Sequence, residues 1–199
     1  MTNKPIKKGR LQTEQKILQA LQHLLLEQGF PAVGINSVAR QAGCDKVLIY
    51  RYFDGLDGLL LAFAETTDLW WNVDEIITES AAQIGQQPLP EFLQILLKRH
   101  LEALQARPLT LEIMAWEMSE QNNLTVALAR TRAERGMVLV KTIRAHYQNP
   151  NIDIGGILGV FGAAINYLII RTRNAPPQHM IEEWWRLQHT IAKLLETHD

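Results

Sequence analysis

With 199 residues, 47% of them hydrophobic and 21% charged, the chain can form one substantial core, or a small domain joined to a larger one. Its single cysteine, Cys44, excludes an intrachain disulfide and any multi-cysteine metal or iron–sulfur site, and fits a reducing compartment. The net charge of −1 hides an asymmetry: residues 1–53 hold eight Lys/Arg against three Asp/Glu, and the rest hold 12 against 18. A head of +5 on a body of −6 suits a protein whose head meets phosphates while its body is kept off them.

In chain order, the basic start MTNKPIKKGR is followed by no apolar h-region, so no secretory signal is expected. Thr13 is placed to cap a first helix, in which Ile17, Leu18, Leu21, Leu24 and Leu25 share one face. Gly29 and Pro31 end it. Residues 34–53, GINSVARQAGCDKVLIYRYF, read as two short helices about a glycine turn. Val38, Ala39 and Ala42 put small apolar groups on one face of the first, Gly43 makes the turn, and Asp45 caps a second helix starting at Lys46. There Ile49 and Phe53 point inward, which leaves Lys46, Val47, Tyr50 and Arg51 on the outer side. Longer periodic segments follow near 56–80 (breaking near Asn72), 89–106, 109–120, 124–147, 152–173 and 179–197, separated by Pro, Gly and Asn clusters. Strand signals are almost absent, so the expected fold is all-α with about nine helices. The apolar run Ile154 to Ile170 is shorter than the roughly 20 residues of a membrane span. It is bounded by Asp153 and by Arg171 and Arg173, so a buried helix is expected and no membrane association.

Helix, glycine turn and helix is the geometry that lays a second helix in a DNA major groove. On the outer side, Lys46 and Arg51 can pair with phosphates or guanine edges, Val47 or Leu48 can touch a thymine methyl, and the hydroxyls of Tyr50 and Tyr52 can donate to phosphates. Gly29-Phe30, Val38-Ala39, Ala42-Gly43, Ile49-Tyr50, Tyr52-Phe53 and Leu59-Leu60, at this spacing, resemble the DNA-binding domain of TetR/AcrR-type regulators over about a quarter of the chain. That resemblance implies base contacts at Asn36, Lys46, Val47, Leu48 and Tyr50, and phosphate contacts at Tyr50, Arg51 and Tyr52. Three departures from the family pattern stand out. Cys44-Asp45 replaces Val-Ser, Gly34 replaces a capping Thr or Ser, and Leu56 replaces a phosphate-clamping lysine. The arm Lys4-Lys7-Lys8-Arg10 is a candidate to replace that last contact from the backbone or minor groove.

The resemblance further implies a helical body that binds a small molecule and dimerises through its last two helices, here 152–173 and 179–197. Phe92, His100, Met114, Trp116, Met118, Phe161 and Tyr167 are the candidate pocket residues, with His100 expected to be partly exposed. With no acidic cluster among them, a strongly cationic ligand is not indicated. Gly155, Gly159 and Gly162 lie on one helical face, where close helix approach would offset their cost. With Trp184, Leu187 and Ile191, on a stripe that also holds Met180 and Leu195, they form the candidate dimer interface. No phosphate loop, His-Glu-x-x-His or Gly-x-Ser-x-Gly motif is present, and the six histidines have no ligand spacing, so neither catalysis, a metal nor a cofactor is expected.

The sequence thus reads as a helix-turn-helix domain over 1–55 and a helical ligand-binding and dimerisation domain over 56–199. The expected function is that of a cytoplasmic, homodimeric transcriptional repressor, released from a palindromic double-stranded operator by a small-molecule effector. The alternative is an architectural or partner-regulated DNA-binding protein that uses the same head without an inducer.

Overall fold

The computed structural model describes residues 4–148, 152–174, 182–187, 189, 190 and 193, with side chains from Gly9 onward. Nine α-helices are delimited: α1 (Lys4–Gln28), α2 (Ile35–Ala42), α3 (Val47–Phe53), α4 (Leu56–Thr66), α5 (Val73–Ile76), α6 (Leu89–Gln105), α7 (Pro108–Glu117), α8 (Asn123–His146) and α9 (Ile154–Thr172). A single 3-10 turn covers Phe30–Ala32, and there is no strand among the described residues. The described residues after 181 are helical. Ile191, Met180 and Leu195 lie outside the described residues.

Two of these elements differ from the expectation. The first helix starts at Lys4 rather than at Thr13. Pro5 falls in its first turn, where a missing N–H costs nothing. Thr13 is therefore internal, and its hydroxyl donates back to the Gly9 carbonyl at 2.9 Å instead of capping. The expected basic arm is helical backbone. The segment expected over 56–80 is also broken earlier. α4 ends at Thr66, whose hydroxyl donates to the Ala62 carbonyl at 3.0 Å, and Asn72 begins the one-turn α5. Trp70 and Trp71, in the extended link between, are 1% and 4% exposed. Burying both indoles on a common core outweighs continuation of the helix.

The chain forms two compact units: residues 1–69 with 108–130, and residues 70–107 with 131–199. The first unit is built on α1. Ile17, Leu21, Leu24 and Leu25, at helical spacing, are buried together with Val38, Ala39, Ile49, Leu59, Leu60 and Phe63. Full burial of each large side chain contributes about 1.5–3 kcal/mol. α7 belongs to this unit, with Trp116 stacked on Phe30 at 5.8 Å and the Thr110 hydroxyl donating to the Leu69 carbonyl at 3.1 Å. The second unit is built on α6, whose buried residues Leu89, Phe92, Leu93, Leu96, Leu97, His100, Leu101 and Leu104 repeat every three or four positions. α9 packs on α6, and Arg99 ties α6 to the α5 region by donating to the Ile76 carbonyl at 3.0 Å and to both Glu79 carboxylate oxygens at 2.8 and 2.9 Å.

The apolar run at 154–170 is not the buried helix expected of it. α9 is long and apolar enough, by length and composition, to cross a membrane, and only Ile154, Ile165 and Ile169 are buried within the described chain. Val160 and Tyr167 are exposed at 67% and 58%.

Candidate nucleic-acid interface

The interface is set by three turns. α2 ends at Gly43, which adopts φ 63 in the left-handed region that L side chains resist. The N-cap position of α3 is Lys46 and not the expected Asp45. The Asp45 carboxylate, one residue earlier, accepts the Val47 N–H at 2.9 Å and so satisfies the first N–H of the helix. No side chain caps α2 at Gly34; the Ser37 hydroxyl instead donates to the Gly34 and Ala32 carbonyls at 2.8 and 2.7 Å. After α3, Asp54 and Gly55 both have positive φ, 60 and 99, which reverses the chain sharply into α4. Gly58 seats that reversal. A Cβ there would fall on the Phe53 carbonyl, so no other residue permits this approach of α3 to α4.

These turns leave α3 with one anchored and one open side. Ile49 is wholly buried, while Val47 and Tyr50 are 60% and 55% exposed. Lys46 and Arg51 are exposed beside them, as is Asn36 on α2, and Leu48 is half-buried. Tyr52 is half-buried too, its ring under the Arg10 guanidinium at 5.1 Å. Arg10 is held there by Glu14 at 2.7 Å, which brings one charge of the N-terminal helix alongside α3. Leu56 sits half-buried at the first position of α4. Burial, then the charge on Asp45, pushes the Cys44 thiol pKa up, which keeps it from acting as a reactive thiolate beside this surface.

Comparison with known proteins agrees with this geometry. The family profile described as bacterial regulatory proteins, tetR family, matches residues 17–63, from the first core residue of α1 to the last core residue of α4. Over these residues the head is similar to the DNA-binding domain of that family. An uncharacterized HTH-type transcriptional regulator of Mycobacterium tuberculosis, Rv1255c, is 35% identical over 48 residues, which are 24% of this chain and 24% of that protein. The match therefore spans about a quarter of the curated relatives' length. Solved structures extend the likeness of fold beyond the head. NalD of Pseudomonas aeruginosa, secondary repressor of the MexAB-OprM multidrug efflux pump, is 17% identical, covering 90% of this chain and 96% of its own with a TM-score of 0.55. The TetR-family regulator HI0893 of Haemophilus influenzae is 16% identical, covering 91% and 97%, with a TM-score of 0.52.

The second unit contains a cavity of about 730 Å³, within the range of small-molecule sites. Of the seven pocket residues proposed from sequence, only His100 lines it. Phe92 is wholly buried against Tyr147 at 5.6 Å, Tyr167 faces solvent, and Phe161 is half-buried off the cavity wall. Met114 and Trp116 are core of the first unit, to which the 71% exposed Met118 also belongs. Gly155, Gly159 and Gly162 line the cavity, and a Cβ at Gly159 or Gly162 would meet nothing within 4 Å. Within the described chain these two glycines therefore make room and not close helix contact. Trp184 and Leu187, the remaining described interface residues, are half-buried.

His100 is 7% exposed, contrary to the expected surface position, because both its ring nitrogens are spoken for. The Trp71 indole N–H donates to His100 Nδ1 at 2.8 Å, so the ring proton sits on Nε2 and is donated to Asn166 Oδ1 at 3.0 Å. Burial first, opposed by the Asn166 bond and reinforced by the charge on Arg132, lowers the His100 pKa to about 4. The ring is neutral at physiological pH. Sequence reading missed Trp70, Trp71, Arg132, Lys141 and Arg144 as wall residues. One signal was available: Asn166, the single polar residue in the run 154–170, needs a partner when that run packs.

Proposed function

We propose that this chain is a homodimeric transcriptional repressor that binds a palindromic double-stranded operator through α2 and α3, and that a small molecule in the second unit's cavity releases it. The observation that carries the reading is the two-sided α3: Ile49 wholly buried, and Lys46, Val47, Tyr50 and Arg51 turned to solvent. In this reading Asn36, Lys46, Val47, Leu48 and Tyr50 face base edges, while Tyr50, Arg51 and Tyr52 hold phosphates. Residues 1–55 act as the DNA-binding domain and 56–199 as the ligand-binding and dimerisation domain of a cytoplasmic protein. The uncovered apolar side of α9, with Val160 and Tyr167, supports pairing of two copies there, together with the helical segment that includes Trp184 and Leu187. Two heads on one dimer read half-sites about one helical turn, roughly 34 Å, apart. A ligand lowers affinity only if it binds better to a conformation whose head spacing no longer matches that separation. The 730 Å³ cavity favours this ligand-responsive reading over an architectural role without inducer.

The test uses DNA selected from a random pool by the full-length protein. Arg51→Ala is expected to weaken binding on many sequences and to flatten the slope of log K against log salt by about one. Tyr50→Phe is expected to cost about 0.5–1.5 kcal/mol, one hydrogen bond. Unchanged affinity and salt slope in Arg51→Ala would overturn the orientation assigned to α3.

A further inference from the structure

We infer that the cavity of the second unit takes an acidic amphiphile, its apolar body against Trp70, Trp71, Leu96 and Leu97 and its acid group toward Lys141, Arg144 and Arg132. This rests on the ligand-responsive reading above and deepens it. Three cationic side chains line the cavity and no acidic one does. All three stand on α8 and belong to residues 131–146 of the second unit. Lys141 is exposed at the rim. Arg144 is bonded to Asp153 at 3.2 Å, both side chains being more than half exposed, a pair weak enough for an incoming acid to compete with. Arg132 reaches inward to lie 5.8 Å from the Trp70 ring. A cation on this wall meets the like charge of Lys141, while an anion gains charge-assisted hydrogen bonds from Lys141 and, in competition with Asp153, from Arg144. The rest of the wall excludes a wholly polar ligand, since indoles and leucines give it nothing in exchange for its hydration. Polar groups deep in the wall also favour an acceptor-bearing ligand. The His100 ring is committed to Trp71 and Asn166, and the buried indole N–H of Trp70 has no acceptor among the described residues.

The experiment measures displacement of the neutral dye N-phenyl-naphthylamine from the full-length protein by decanoate, decanol and decyltrimethylammonium, which share an apolar chain and differ in headgroup. Decanoate is expected to displace the dye at a concentration about 10-fold below decanol, the factor that one charge-assisted bond supplies, with decyltrimethylammonium weakest. The double variant Lys141→Gln, Arg144→Gln is expected to lose the preference for decanoate while decanol is unchanged. Equal displacement by decanoate and decanol, or a lead for decyltrimethylammonium, overturns the acid class and leaves the ligand cavity standing. Gly162→Leu, whose side chain enters open space in the cavity wall, separates the two readings. It is expected to abolish dye binding with no fall in melting temperature. Dye that binds this variant as well, or binds neither protein, overturns the cavity reading and the acid class together.

Discussion

Lowering the pH from 7 is expected to destabilise the second unit through His100 before Glu75 and Glu79 contribute. The ring's two bonds hold it in one neutral tautomer, accepting from Trp71 and donating to Asn166. A second proton would have to sit on Nδ1, turning that acceptor into a donor that faces the indole N–H donor, in a site that is 7% exposed. The folded pKa of about 4 lies below the ordinary 6.5, so the unfolded chain binds the proton more readily. Stability from the neutral ring is therefore complete above pH 6.5 and is lost as the pH falls toward 4. At about 1.4 kcal/mol per pKa unit the full loss is about 3 kcal/mol, most of it reached by pH 4.5. Glu75 and Glu79 enter lower down. Burial pushes the Glu75 carboxyl up, but the Asn72 N–H and Arg107 outweigh it, and Arg99 holds Glu79 down, so both lie below 4.5. Denaturant unfolding of the wild type and His100→Gln at steps between pH 7 and 4.5 isolates the ring. The variant is expected to be less stable at pH 7 and nearly flat across this interval, while the wild type falls. Parallel curves for the two proteins would refute the argument.

Gly58→Ala places a Cβ on the Phe53 carbonyl, so it should lower the stability of the head by about 1–3 kcal/mol, read by thermal unfolding, and weaken DNA binding with it. A variant of wild-type stability would mean that the α3–α4 reversal relaxes easily. Leu56→Lys restores the side chain that the family pattern places at the start of α4. It should tighten binding to selected and random DNA alike, because a phosphate contact carries little sequence information. A gain confined to one sequence in a binding titration would contradict the phosphate role.

The head was legible in the sequence because its determinants are local. Gly43 needs a left-handed φ, Asp45 reaches the N–H of Val47 two residues on, and the four-residue spacing of Ile49 and Phe53 decides which side of α3 is left open. None of these depends on a distant segment. Periodicity likewise located α6, α7, α8 and α9 to within a few residues, since each repeats its apolar face over several turns. Periodicity could not show where α4 stops, because Leu69, Trp70 and Trp71 satisfy an apolar pattern as a helix or as an extended link buried by its neighbours.

Glycines mark the division most clearly. A glycine within an apolar helix signals that a side chain is not wanted, and the sequence raises that question at Gly58, Gly159 and Gly162 alike. Only the tertiary structure answers it, with a carbonyl pressed against Gly58 and open space beside Gly159 and Gly162. The cavity wall follows the same rule. Trp71, His100 and Asn166 are separated by 29 and 66 residues and become neighbours only when the link after α4, α6 and α9 pack together. The sequence by itself determined a helix-turn-helix head and a helical body, because short-range geometry and helical spacing are written in adjacent residues. Which residues enclose the cavity, and which helix face is left uncovered, was decided by packing between segments far apart in the chain.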